Sequence, residues 1–188
     1  MNEKTKKALE RTLRNNEKIA WESPTLHFGI LDGKEGRKTL MQWVLSTICY
    51  AAILAVYAAH DSITPRFFIL LSLVYGALII TPLLSYYTIL GQRYYITSER
   101  IILIKRDGQV ATMERDKIDA IRLFPTKPGA ALAFGKSVVD EGDSHLRWRS
   151  IHAKENPNSV GGLNANGLVF YNVERAEQAM KMLQIENK

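Results

Sequence analysis

The chain has 188 residues, a formal net charge of +6, 46% hydrophobic residues and a single cysteine, Cys49. One cysteine excludes an intramolecular disulfide and a cysteine-built zinc site. The basic residues cluster partly beside apolar runs, and there is no zinc-finger spacing, helix-turn-helix pattern or basic stripe interleaved with aromatics, so no nucleic-acid partner is expected.

Residues 1–39 form a basic N-terminal segment. Leu9, Leu13 and Ile19 make a thin apolar stripe among Lys6, Lys7, Arg11, Arg14 and Lys18. A surface helix drawn to acidic lipid and a solvated tail both fit that pattern. Trp21, Pro24 and Phe28 say more, because an aromatic cluster in a short polar connection packs on something.

Residues 40–90 contain two uncharged apolar stretches, 40–59 and 67–90, separated only by residues 60–66. Each is long enough to cross a hydrocarbon core roughly 30 Å thick, which takes about 20 residues at 1.5 Å rise. The short link makes them antiparallel neighbours, and the expected element is a transmembrane helical hairpin. Lys34, Arg37 and Lys38 precede it, Arg93, Arg100, Lys105 and Arg106 follow it, and the link holds only Arg66. The excess of positive charge on cytoplasmic flanks then assigns both termini to the cytoplasm. Trp43, Tyr86 and Tyr87 fall near the inner boundary, and Tyr57, Phe67 and Phe68 near the outer one. The first stretch starts too late to be a signal peptide. Ala51, Ala55 and Ala59, with Ser72 and Gly76, give small faces for close helix packing, and Pro82 is expected to kink the second helix. No ionisable residue lies at mid-membrane depth, so the hairpin reads as an anchor and not a conduit.

Residues 91–188 alternate between short strand patterns and turns. Strands are expected at 93–97, 101–106, 109–115, 118–124, 131–139, 145–151 and 167–171, with Ser98-Glu99-Arg100 and Asp107-Gly108 as turns. A final helix follows, with Asn172 as N-cap, Glu174 in its first turn, and Val173, Ala176, Met180 and Leu183 as one apolar stripe. The expected fold class is α+β: the transmembrane hairpin, then a seven-stranded β-barrel or sandwich capped by a C-terminal helix.

Three stretches carry a family resemblance. Glu17-Lys18-Ile19-Ala20-Trp21-Glu22-Ser23-Pro24, Tyr95-Ile96-Thr97-Ser98-Glu99-Arg100-Ile101-Ile102 and Gly167-Leu168-Val169-Phe170-Tyr171-Asn172-Val173-Glu174 together resemble bacterial membrane proteins with a pleckstrin-homology-like domain. The most specific part is the Tyr-x-Thr-x-x-Arg-Ile-Ile hairpin directly after a second membrane helix. The resemblance implies a helix-capped barrel on the cytoplasmic face of the plasma membrane, in a binding or scaffolding role with no catalysis and no cofactor. In eukaryotic relatives a longer first hairpin loop holds phosphoinositide through Lys and Arg; here that loop is read as Ser98-Glu99-Arg100, short and bearing an acid.

Among chemistry-bearing residues, Asp140, Glu141, Asp143 and His145 are ligand types for a divalent ion, but they lack EF-hand spacing and read as an acidic turn. His145 and His152 flank the expected strand 145–151, which would turn Leu146 and Trp148 inward and Arg147 and Arg149 outward. Nothing near them pairs a nucleophile with a base. Residues 154–167 read as a long polar loop. Residues 101–104 are apolar on both faces, so Ile102 and Ile104 are expected to be covered by the segment containing Trp21 and Phe28, or by another subunit.

The function expected is a non-enzymatic scaffold held at the bilayer, with a protein partner or a second copy as its ligand. The alternative is a sensor of anionic lipid headgroups. Arg93, Arg100, Lys105, Arg106, Arg147 and Arg149 are the candidate contacts with lipid or partner, and a metal-dependent enzyme using the acidic run is a more distant third reading.

Overall fold

The computed structural model describes residues 3–60, 64–155 and 164–185. They form two units, Met1–Phe28 with Tyr87–Lys188, and Gly29–Tyr86. Most of the expected loop at 154–167 lies outside the described residues.

The N-terminal segment is ordered. Helix α1 (Glu3–Thr12) is laced by the i,i+4 ion pairs Glu3–Lys7, 2.6 Å, and Lys6–Glu10, 4.0 Å, each worth only a few tenths of a kcal/mol, about 0.3–0.5. Burial of Leu9 and Thr5 is what fixes it in place. Strand β1 (Ile19–Pro24) then alternates, with Trp21 and Ser23 buried and Ala20 and Glu22 exposed.

The second unit is made by α2 (Gly33–His60) and most of α3 (Pro65–Leu90). Both helices are long and apolar enough to cross a membrane, and none of their apolar windows is buried in protein. Pairing is antiparallel: Gln42 Nε2 donates to the Leu78 carbonyl at 3.3 Å, the Thr47 and Tyr75 hydroxyls meet at 3.0 Å, and so do those of Tyr50 and Ser72. Stacked rings, Tyr50 on Tyr75 and Tyr57 on Phe67, fill the seam. Ser72 thus contributes a hydrogen bond as well as a small surface, a contact that in lipid is worth about 0.6 kcal/mol. Helix α3 runs on through Pro82.

The chain then builds two antiparallel sheets. Strands β2 (Arg93–Thr97), β3 (Arg100–Ile104) and β4 (Val110–Glu114) follow in order, and β1 adds beside β2 to give β1-β2-β3-β4. Register places Trp21 opposite Ile96 and Tyr95 opposite Ile102. Strands β5 (Ile121–Pro125), β6 (Ala130–Phe134) and β8 (Ala165–Val173) form the second sheet, with the two-residue β7 (Lys154–Glu155) on the far side of β8. Short helices α4 (Lys136–Val139) and α5 (Leu146–Ile151) lie between β6 and β7, and α6 (Ala176–Ile185) ends the described chain.

One core lies between the sheets. Trp21, Tyr94, Ile96, Ile101, Leu103 and Met113 of the first meet Leu132, Phe134, Leu168 and Phe170 of the second, and Ala176, Ala179 and Leu183 of α6 join them. The sheets do not close into a barrel. Isolated bridges, Thr25 with Val173 and Thr112 with Asn164, tie them at two corners.

Several expected elements change identity. The expected strand 145–151 is instead a helix over Leu146–Ile151, which follows a 3₁₀ turn (Gly142–His145) and buries Leu146 and Ser150, four residues apart on one face. Leu146 is buried, whereas Trp148 points to solvent and the two arginines are half-buried. The strand expected over 131–139 stops at Phe134, because Gly135 sits at φ +91° where a Cβ would strike the Asn166 carbonyl oxygen. Asn172 is not a helix cap. It stays in β8, its side-chain Oδ1 accepting from the Gly129 amide and the Thr126 hydroxyl, both 2.9 Å, while its side-chain Nδ2 donates to the Leu26 carbonyl at 3.0 Å. Its side chain is consumed in joining a turn to the segment after β1, and α6 starts four residues later.

The cover over Ile102 and Ile104 is also different from the one expected. These residues cluster with Tyr95 and Leu9, so helix α1 shields the outer face of the first sheet. Trp21 lies on the opposite face, stacked 6.2 Å from Phe170, and Phe28 packs edge-on against Tyr171. Trp21→Ala is therefore expected to cost about 3–5 kcal/mol. Removing residues 1–28 should abolish cooperative unfolding of the remainder, as followed by denaturant titration of the detergent-solubilised chain.

Candidate functional site

An ionic joint ties the N-terminal segment to the β2–β3 turn. Arg100 grips Glu17 with two nitrogens, Nε to Oε1 at 3.0 Å and NH2 to Oε2 at 2.8 Å. The Thr97 hydroxyl donates to Oε1 at 2.6 Å, and the Arg14 amide to Oε2 at 2.9 Å. Arg100 also donates to the Thr12 carbonyl. The Glu17 side chain is fully buried. Burial alone would raise its pKa; the Arg100, Arg14 and Thr97 hydrogen bonds overcome this and hold it at about 2. Nearer solvent, Arg14 reaches Glu99 at 2.8 Å and Glu114 at 2.7 Å. Arg100, a candidate surface contact by sequence, is thus an internal strut.

A second network ties together the ends of the first unit's two chain segments. The Thr25 amide donates to the Gln92 carbonyl at 3.2 Å. The Tyr94 hydroxyl accepts from Thr25 at 2.9 Å and shares its own proton between Gln92 Oε1, 2.8 Å, and the Tyr171 carbonyl, 3.2 Å. Burial raises the Tyr94 pKa, so it stays a neutral donor. Gln92 Nε2 continues to the Ser150 carbonyl of α5 at 2.8 Å. Arg147, also on α5, lies 4.9 Å over the Phe28 ring and donates to the Tyr171 hydroxyl at 3.0 Å.

Two concave surfaces follow from this frame. One cavity, about 140 Å³, lies between the β3–β4 turn and α5, lined by Lys105, Gln109, Ser150 and His152 among others. Lys105 reaches Gln109 Oε1 at 2.9 Å. Burial, with the nearby charges of Lys105 and Arg149, pushes the His152 imidazole below its usual pKa. The other is a groove of about 270 Å³ between β1 and α6, lined by Trp21, Glu22, Arg175, Gln178 and Met182. Strand β1 is the outer strand of its sheet, so the groove runs beside an edge that can accept another strand.

The remaining sequence candidates are scattered. Arg93, at the start of β2, hydrogen-bonds Tyr95; Arg106 is exposed and lies against Gly91. Arg149 pairs with Glu141, Nε to Oε2 at 2.6 Å, which draws the acidic run into a local ion pair. Among the described residues no group of three or more His, Cys, Asp or Glu is placed to hold a metal ion. Asp107 and Gly108 do form a turn, closed by Gly108 at φ +94° and by Asp107 accepting from the Gln109 amide. Nothing in the sequence sets Glu17, Thr25 or Gln92 apart: Glu17 is one of six acids in residues 1–39, with Glu3, Glu10, Glu22, Asp32 and Glu35. No protein-family model, curated protein or solved structure matches this chain.

Glu17→Gln leaves Arg100 buried without a counter-charge, and the expected loss is about 3–5 kcal/mol. A carboxyl whose folded pKa is depressed contributes stability that is complete above its unfolded value and fades as pH falls through the folded one. The wild-type chain should therefore lose stability as pH falls from 4.5 towards 2, and in thermal melts against pH the Gln variant should show a shallower slope over that window.

Proposed function

We propose that the chain is a non-enzymatic scaffold in which α2 and α3 cross the bacterial plasma membrane and the unit Met1–Phe28 with Tyr87–Lys188 is a pleckstrin-homology-like domain on the cytoplasmic side. Its ligand is a protein strand, from another protein or a second copy, laid along β1. The observation that carries the ligand reading is the exposed edge of β1 with the groove beside α6. Main-chain pairing at such an edge supplies affinity, and the flanking groove supplies selectivity.

Support for the topology comes from pairing across the insertion. Strand β1 precedes the two apolar helices and β2 follows them, yet the two are hydrogen-bonded neighbours. A single folded unit sits on one side of a bilayer, so an even number of crossings is required. Lys34, Arg37 and Lys38 in the first two turns of α2 and Arg93, Lys105 and Arg106 after α3 favour the cytoplasmic side. Support for the domain class is the order of parts: a four-stranded antiparallel meander, three further principal strands, and a C-terminal helix. In this reading the first hairpin connection is the inserted pair of helices, and Ser98-Glu99-Arg100 belongs to the second.

Lys105 at the cavity and the exposed Arg106 on the same β3–β4 turn favour a second reading, contact with anionic headgroups. A photo-crosslinking residue placed at Ala20 or at Gln178 in native membranes separates the two. Protein adducts at both positions, of a mass that identifies self or another chain, are expected; adducts with lipid alone at both would remove the strand-docking reading.

A further inference from the structure

Helix α5 is held at the two places where the first unit hands the chain over to residues 29–86. Phe28, the last residue of the unit's leading segment, lies under Arg147, and Gln92, two residues after α3 ends, is bonded to the Ser150 carbonyl. Trp148 stands on the same short helix and is 56% exposed, its ring tilted over His152 at 3.9 Å. Within this unit's described residues, only Tyr87, in the last turn of α3, exposes as large a share of a bulky apolar side chain. A soluble core has no use for an indole in water, whereas the headgroup layer takes its apolar face and its N–H together. Lys105 lines the same cavity as His152, and Arg106 lies on Gly91, beside the end of α3. Positive charge at such a rim suits the anionic inner leaflet.

We propose that α5 is a second membrane contact, with Trp148 seated in the headgroup layer of the bilayer that α2 and α3 cross. The inference rests on the membrane reading above, and the chain's three tryptophans test the two claims separately. The full chain is reconstituted in vesicles of phosphatidylcholine and phosphatidylglycerol carrying nitroxide labels at the headgroup or deep in the acyl chain. Trp148, left as the sole tryptophan by Trp21→Phe and Trp43→Phe, should show blue-shifted emission, stronger quenching by the headgroup label than by the deep one, and partial protection from acrylamide. Water-like emission with full acrylamide access, or protection without quenching by either label, overturns the proposal. Trp43, isolated by Trp21→Phe and Trp148→Phe, lies in α2: if neither label quenches it, the membrane reading itself fails. Should the Trp21→Phe chains not fold, the same two signals are obtained by subtracting Trp148→Phe and Trp43→Phe spectra from wild type.

Discussion

Pairing of β1 with β2 is the constraint on which the structure depends. These strands are neighbours in space with residues 25–92 between them in the chain, and the connection contains both long apolar helices. A flexible connection of this length costs only about 2–3 kcal/mol more to close than a loop of about four residues, since each doubling adds about 0.6 kcal/mol. An antiparallel helical pair lowers that further, because it brings the chain back towards its starting point. Burial of Trp21 against Phe170, with the Glu17–Arg100 joint beyond it, is ample to offset the remainder.

Polar side chains placed at the corners do what a closed barrel would do with main-chain ladders. Asn172 links the turn 126–129 to Leu26, Tyr94 links Thr25 to Gln92 and Tyr171, and Glu17 links α1 to the β2–β3 turn through Arg100 and Thr97. Each is buried with its partners in place, the condition under which a polar network specifies one arrangement instead of weakening it. The two candidate surfaces are consequences: the groove exists because β1 ends its sheet, and the cavity because α5 is pulled towards Gln92.

Local patterns made much of this fold legible. The two apolar stretches, the strand at 93–97 and the turn at Asp107-Gly108 follow from residues close in sequence, and the structure holds them. What failed was long-range. Ile19–Pro24 alternates as a strand should, but its partner lies beyond two helices, so the sequence shows an aromatic cluster that packs on something and not a strand. Leu146 and Trp148 fit a period of two, yet the turn before them starts a helix that sets them on opposite sides, Leu146 buried and Trp148 exposed. Asn172 has the chemistry of a cap and is used elsewhere, a tertiary demand overriding a local preference. The scattered arginines were legible as charge but not as role, since Arg100 is claimed by Glu17 and Arg149 by Glu141.

The interrupted sheet also sets an order of events during synthesis. Strand β1 leaves the ribosome well before β2 to β4 exist, and at roughly 5–20 residues per second it waits on the order of 5–20 s for its partner. In the membrane reading proposed above, the translocon handles both apolar helices during that wait. Only a chain whose two flanks end in the same compartment can complete the sheet; one inserted with the wrong number of crossings keeps Ile102 and Ile104 uncovered by α1, as bait for proteolysis. On that reading, splitting a domain around its two apolar helices makes folding a checkpoint on insertion.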